Sequence, residues 1–303
     1  SWGYEKISQR RLRRITPTKV SVPVICVGNI SLGGTGKTPL SISLAEHFLK
    51  KEKKVGFLTR GYGGRFKGPI RVNTNHHSAQ DVGDEPLLLA RVAPTWVAQD
   101  RVAGARQMIK KGINLIIMDD GHQNAFLHKD ISFVVIDGQQ GFGNKRVFPL
   151  GPLRESVADG LSRSDAIIIM GGASEELKED LKGQNIPTFD AEVSLKKSEL
   201  FSGKGVAFCG IGHPEKFFTS LENAGLDLVH KKSFPDHYPY KTFDILSLKK
   251  KAGEYKAPLL TTEKDWVRLC NKDKKDVIPL PIAIKWKKWK DVDTLLSKKI
   301  FNA

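Results

Sequence analysis

Cysteine is scarce in this chain. Cys26, Cys209 and Cys270 are the only three in 303 residues, and no two of them stand at metal-ligand spacing. An odd count without a pattern excludes a disulfide scaffold and reads as a reducing compartment, hence cytoplasm. Long apolar runs are missing as well: no segment approaches the ~18–20 residues that a membrane-spanning helix needs. Repeats of fixed period and low-complexity tracts are absent. Acidic residues are short in supply, 33 against 49 lysines and arginines, for a net charge of +16 and a pI near 9.7. That imbalance calls for an anionic partner. Nucleic acid, an anionic membrane surface and a phosphorylated substrate all fit, and charge alone does not choose among them. The printed chain opens at Ser1 and not at Met, as removal of an upstream piece would leave it.

What is present is enough for a sizeable core. The length and 40% apolar composition fit one large or two modest domains. The opening WGYEKISQRRLRRI spaces Trp2, Ile7, Leu12 and Ile15 among Arg10, Arg11, Arg13 and Arg14. It reads as a short basic amphipathic helix, suited either to an anionic bilayer or to packing on the domain. A β/α rhythm follows. Strand-like runs at 22–28, 55–59, 95–98, 114–119, 132–137 and 165–170 are separated by helical stretches, among them one opening near Lys37 and others at 84–92 and 101–111. Short Val/Ile-rich runs between helices predict a mostly parallel sheet covered on both faces, an α/β fold. A second set comprises GVAFCG (205–210), helices at 214–224 and 243–253, APLLTT (257–262) and IPLPIAIKW (278–286). The expected division is a domain over 1–192, a linker over 193–204, a smaller α/β domain over 205–280, and a C-terminal strand and basic tail over 281–303 that returns to the linker.

The most informative stretch is VGNISLGGTGKTP (27–39), with an apolar strand before it and the amphipathic LSISLAEHFLKK after it. In a P-loop, backbone N–H groups freed from side-chain bulk wrap phosphate oxygens at a helix N-terminus. Gly33, Gly34 and Gly36 supply the permissive backbone, Lys37 the cation for the β/γ-phosphates and Thr38 a hydroxyl for Mg²⁺. The strict pattern has glycine where Ser31 stands. The stretch is also similar to the K-G-G-x-G-K-T loop of partition-type ATPases, but Leu32 occupies the place of their signature lysine. Residues Ser31, Leu32, Gly33, Gly34, Thr35, Gly36, Lys37 and Thr38 are the expected ATP site. NLIIMDDG (114–121) has the layout of a Walker-B strand, so Asp119 and Asp120 are candidates to hold Mg²⁺ on the phosphates.

Further motifs follow in order: TRGYGG (59–64), GDEP (83–86), DDGHQ (119–123), GPLRE (151–155), GIGHPEKFF (210–218), FPDH (234–237) and TTEKD (261–265). Together with the glycine loop they resemble the tetraacyldisaccharide 4′-kinase family, the lipid A 4′-kinases, over about residues 20–270. The resemblance implies a P-loop α/β domain joined by a linker to a smaller α/β domain, with ATP between them. It implies transfer of the γ-phosphoryl group of ATP to the 4′-hydroxyl of a tetraacyldisaccharide 1-phosphate, forming lipid IVA, at the cytoplasmic face of the inner membrane. It makes Ser31 the family's own form of the loop. It implies Asp84 of GDEP as the base, supported by His237 of FPDH, and Asp119 and Asp120 as the metal-proximal pair, with Glu155 a further Mg²⁺ ligand. A sugar hydroxyl needs such a positioned carboxylate to take its proton as the new bond forms. Arg60, Arg154 and Lys264 are candidates to neutralise phosphate on ATP or on the lipid.

The chain departs from the family at three places. An apolar residue is common where His122 stands, histidine is frequent where Asn124 stands, and the family's leader is often longer and more apolar than WGYEKIS. The tail KWKKWK (285–290) reads either as an interfacial segment or as a strand end with solvated lysines. The competing readings are a P-loop switch or metallochaperone, disfavoured by Leu32 and by the lack of a Cys/His cluster, and a nucleic-acid binder, disfavoured by the lack of a reading module. The expected protein is a monomer that binds no nucleic acid.

Overall fold

The computed structural model describes residues 15–196 and 203–300; the basic amphipathic helix expected at the N-terminus falls on residues outside that set. Two sheets organise the chain. The larger has nine strands in the order β13-β8-β7-β6-β1-β5-β2-β4-β3. Its centre is β1 (Val24–Gly28), flanked by β5 (Leu115–Asp119) and β6 (Ile131–Asp137), all parallel. Outward lie β2 (Val55–Thr59) and β4 (Thr95–Val97) on one side, and β7 (Ala166–Met170) and β8 (Thr188–Leu195) on the other. Two edge strands, β3 (Ile70–Arg71) and β13 (Ile282–Trp286), run antiparallel to their neighbours. Each central strand is buried on both faces, which is why these strands are continuous apolar runs and not alternating ones.

Alternate residues of each strand feed opposite cores. Ile25, Val27, Ile117 and Phe133 face α1 (Lys37–Lys50) through Leu40, Leu44 and Phe48, and α10 (Trp289–Ile300) through Val292 and Leu296. Cys26, Ile116 and Met118 face Ala105 and Met108 of α4 (Arg101–Lys110). Val134, Ile136 and Ile169 face Leu161 of α5 (Val157–Leu161) and Leu177 of α6 (Glu175–Leu181). Two short helices, α2 (Ala79–Val82) and α3 (Asp84–Leu89), lie between β3 and β4.

The smaller sheet is four parallel strands in the order β10-β9-β11-β12: β9 (Gly203–Cys209), β10 (Leu226–Ser233), β11 (Leu259–Thr262) and β12 (Val277–Leu280). Phe217, Phe218 and Leu221 of α7 (Pro214–Asn223) pack with Ala207 and Leu260, while Ile245 and Leu248 of α8 (Thr242–Tyr255) pack with Val206 and Phe208. A last short helix, α9 (Glu263–Trp266), follows β11.

The run IPLPIAIKW is not one strand. Pro281 divides it into β12 in the small sheet and β13 in the large one, where Ile282 pairs with Leu195. The chain therefore passes between lobes twice, side by side, and the Lys196 amide donates to the Pro281 carbonyl at 3.0 Å. Strand structure enters both ends of the 193–204 stretch. In the tail, Trp286 and Trp289 are half-buried against the α1 side of the sheet, the Trp286 indole donates to Ser43 Oγ at 3.1 Å, and the lysines between them are exposed. That is the strand-end arrangement, not an interfacial display of tryptophan. None of the described helices is long and apolar enough to cross a membrane.

Candidate active site

Strand order reverses at β1, and in open α/β sheets the crevice beyond such a strand is where ligands sit. The chain leaves β1 through Asn29 and Ile30 into the glycine loop. Gly36, with φ of 89°, caps α1 in the left-handed region, and a Cβ there would meet Met170 Cε at 2.7 Å. Only glycine fits both demands. Asn29 Nδ2 donates to Thr35 Oγ1 at 3.2 Å and fixes the loop's far wall. Amides from Gly33 to Thr38 find no acceptor among the described residues, so a row of N–H donors stands open at a helix N-terminus. Ser31 and Leu32 are tied to the GPLRE loop instead: Ser31 bridges Leu153, Leu32 N donates to the Pro152 carbonyl and Arg154 N to the Ile30 carbonyl, each N–H bond 2.7 Å long.

That tie brings Arg154 to the end of β5. Asp119, fully buried, accepts from Thr38 Oγ1 at 3.1 Å and from Ser41 Oγ at 2.7 Å. Burial, and then the carboxyl of Glu85, push Asp119 above the usual carboxylate range. Asp120 takes a left-handed backbone (φ 50°) and turns toward Arg154 Nη1 at 2.9 Å and Lys37 Nζ at 3.7 Å. Burial works against its charge, but Lys37 and Arg154 outweigh burial and lower its pKa. Two guanidinium nitrogens here, Arg154 Nε and Arg101 Nε, are buried without an acceptor.

The donors present fit magnesium. Thr38, Asp119 and Asp120 offer hard oxygens beside the open amides, and no cluster of three metal-ligating side chains exists among the described residues. An ion here would complete its shell with phosphate oxygens and water, as Mg²⁺ habitually does.

A second centre lies at the start of α3. Gly83, with φ of 92°, turns the chain so that Asp84 opens the helix, and a Cβ on Gly83 would meet the Tyr62 carbonyl of the TRGYGG loop at 2.4 Å. The Asp84 carboxylate is buried and accepts from Arg268 Nε at 2.9 Å and Arg268 Nη2, with His237 Nδ1 at 3.1 Å and Lys264 Nζ at 4.0 Å. Burial raises its pKa, but the His237 hydrogen bond and the charges of Arg268 and Lys264 overcome it and hold the carboxyl far below the usual range. His237 also has a left-handed backbone (φ 58°), and Tyr62 stands edge-on to its ring, with centroids 6.4 Å apart. Glu85 is the link between the two centres, since Lys264, Lys37, Asp84 and Asp120 all act on its charge.

The structure thus gathers Lys37, Thr38, Asp119, Asp120 and Arg154 in one group and Asp84, His237 and Lys264 in another, joined through Glu85. Glu155 is paired with Arg163 and accepts from Gln123 Nε2 at 2.9 Å, while Gln123 Oε1 accepts from Arg154 Nη1 at 3.4 Å. Arg60 is exposed at the end of β2, near enough to Arg101 to help depress it, after burial, to about 10. His122 is a core residue, bonded to the Gly160 carbonyl at 2.9 Å and near Ser132 Oγ at 3.3 Å. Sequence reasoning missed Arg268, Glu85, Ser41, Arg101 and Gln123. The signal for Arg268 was its place three residues past TTEKD, on the side of the turn that Asp265 also faces.

Open amides behind β1, a buried lysine and a strand-end aspartate pair define a P-loop α/β protein of the nucleotide-binding class, with a separate carboxylate centre facing it. The chain belongs to the tetraacyldisaccharide-1-P 4′-kinase family, whose model matches residues 1–301. It is 49% identical over 262 residues to the tetraacyldisaccharide 4′-kinase of Parvibaculum lavamentivorans, covering 86% of this chain and 77% of that one. It is 42% identical over 297 residues to that of Rhodospirillum centenum, covering 96% and 87%. Among solved structures, LpxK from Aquifex aeolicus, crystallised in complex with ATP, superposes with a TM-score of 0.80 at 29% identity, covering 99% of this chain and 97% of that one.

Proposed function

We propose that this chain is the ATP-dependent kinase that phosphorylates the 4′-hydroxyl of tetraacyldisaccharide 1-phosphate in lipid A biosynthesis, yielding lipid IVA. The observation that carries the reading is the pairing, in a chain that matches this family end to end, of an open phosphate cradle with a buried carboxylate centre on α3. The amides of Gly33–Thr38 bind the β- and γ-phosphates, and Lys37 offsets their charge. Thr38 and the aspartates at 119 and 120 would hold Mg²⁺, which would supply positive charge to offset that of the phosphates. Arg154 turns its unsatisfied Nε to a phosphate oxygen. Asp84 takes the proton of the sugar hydroxyl, and His237 orients its carboxylate. In a loose phosphoryl-transfer transition state the base positions the nucleophile more than it pulls on the proton, so a low pKa is compatible with the role.

The same reading places the protein peripherally on the cytoplasmic face of the inner membrane, supported by the lipid nature of the acceptor and the net charge of +16. Incubating the purified protein with Mg²⁺, γ-labelled ATP and the tetraacyldisaccharide in detergent micelles tests the activity. Label is expected on the lipid. Release of labelled inorganic phosphate with the lipid untouched would instead support the switch-ATPase alternative.

A further inference from the structure

Asp84 is held by one of its two oxygens. Oδ2 takes Nε and Nη2 of Arg268, faces Nδ1 of His237 at 3.1 Å and lies 4.0 Å from the Lys264 ammonium. Oδ1 meets only the amide of its neighbour Glu85, at 3.0 Å, among the described residues. Arg268 belongs to the small lobe and Asp84 to the large one. The guanidinium is itself fixed from behind: Nη1 donates to the Gly210 carbonyl at 2.8 Å and to Asp265 Oδ1 at 3.0 Å. Asp265 is fully buried and is braced by Tyr240 Oη at 2.9 Å and Gly210 N at 3.0 Å. Trp266 and Val267, just before Arg268, sit in an apolar cluster with Val82, Leu87 and Val97 of the large lobe. One short segment therefore seats the small lobe on α3 and delivers the guanidinium to the first residue of that helix. The side chains of Arg268 and Asp84 are 5% and 7% exposed, so the weak energetics of surface ion pairs do not apply. Two donors from a planar fork on one oxygen also fix the rotation of a carboxylate, which an ammonium cannot do.

We propose that Arg268 is a positioning residue for the phosphoryl transfer: it clamps Oδ2 of Asp84 across the lobe boundary, so that Oδ1 faces the sugar hydroxyl only when the lobes are docked. The inference rests on the reading of Asp84 as proton acceptor. In the step, the hydroxyl oxygen bonds to the γ-phosphorus and its proton passes to Oδ1. The bond from the γ-phosphorus to the β–γ bridging oxygen breaks, and ADP leaves with that electron pair. The charged or titratable groups facing Asp84 are Arg268, His237 and Lys264, with Glu85 beside it and Asp236 and Asp265 behind those partners. Removing the guanidinium lets burial lift the carboxyl, so activity is lost at a higher pH on the acid side.

The test measures kcat, the KM for ATP and the pH profile of the full chain with ATP, Mg²⁺ and micellar lipid acceptor, for Arg268→Gln, Arg268→Lys and Asp84→Asn. Arg268→Gln is expected to lower kcat by ~100-fold, the cost of a misplaced reacting group. Its KM for ATP stays within about twofold, and any movement of its acid limb is upward. Arg268→Lys restores the acid limb, because the charge remains, but recovers only part of kcat, because the fork is gone. Parent kcat in both Arg268 variants overturns the inference, as does a loss that falls on the KM for ATP with kcat unchanged. If Arg268→Gln does not fold, Arg268→Lys decides alone, on whether kcat drops about tenfold at an unchanged melting temperature. Parent turnover in Asp84→Asn is a different result: it removes the base itself.

Discussion

Lys37 sits between two obligations. Its ammonium is buried, and among the described residues its acidic contact is Asp120, 3.7 Å away. A buried lysine with so loose a partner is poised to trade that partner for phosphate oxygens. Replacing it by alanine leaves Asp120 to Arg154 and should barely move stability, yet it removes the cation proposed to offset the phosphate charge. We expect Lys37→Ala to lose ~10²–10³ in kcat/KM, comparable to losing one preorganised transition-state donor. Steady-state rates with ATP and the lipid acceptor measure this, and a loss under about threefold would remove Lys37 from the phosphate site. His122 shows the opposite case, a titratable group serving the core. Burial lowers its pKa from 6.5 to about 4, so it is neutral in the fold and donates Nε2–H to the Gly160 carbonyl. Between those two values the unfolded chain binds a proton that the folded chain does not. Its contribution is therefore complete above about pH 6.5 and is lost as pH falls toward 4, by up to about 3 kcal/mol. His122→Gln should be less stable than the parent at about pH 7.5 and close much of that gap near pH 4.5. Urea unfolding at the two pH values measures it, and a gap that does not narrow would mean that the folded protein carries a charged imidazole.

Elements were legible where burial is two-sided. Strands β1, β5, β6 and β7 are continuous apolar runs because helices cover both faces, and the glycine loop announced its helix through Gly36 and Lys37. Strands β8 and β10 were not readable. Each has much of its surface in water, so TFDAEVSL and LDLVHKKS mix charges into the pattern as a loop would. The break at Pro281 carries no change of composition: the proline leaves apolar residues on both sides while the two halves join different sheets. Spacing alone sets Arg268 beside Asp265, but its contacts with Asp84 and the Gly210 carbonyl exist only in the fold. Asp84 was legible only through motif order, since an acid at the start of a helix is also an ordinary favourable placement. The tail follows from the same packing logic. Trp286 covers α1 and bonds Ser43, so its work is cohesion of the β13–α1 contact. Trp286→Ala should cost about 2–3 kcal/mol, somewhat below a fully buried tryptophan, and lower the unfolding midpoint. Its sedimentation with anionic vesicles should match the parent's. A variant of unchanged stability that no longer sediments would return these tryptophans to the membrane surface.

The whole molecule carries more positive charge than its own carboxylates can pair. Many ion pairs are present, yet a net +16 is left to act on the surroundings, including the exposed Lys285, Lys287, Lys288 and Lys290 beside the packed tryptophans. Lys285 lies in β13, the strand that returns from the small lobe to the large one, and the other three follow it. None of the described helices is long and apolar enough to span a bilayer; the attraction to a membrane proposed above is assigned to long-range charge, which acts before any lipid contact is made. Each lysine or arginine near an anionic surface contributes about 1 kcal/mol, so even a handful suffices for reversible binding. The Debye length sets the range: about 10 Å at 0.1 M salt and about 3 Å at 1 M. The protein should therefore sediment with vesicles containing anionic phospholipid at about 0.05 M salt, ignore neutral phosphatidylcholine vesicles, and come off as salt rises toward about 1 M. Transfer to acceptor embedded in such vesicles should fall along the same salt curve, while transfer to acceptor in neutral micelles should fall much less. Retention on the vesicles at about 1 M salt would assign the attachment to inserted apolar surface, and charge would then account only for the rate of encounter.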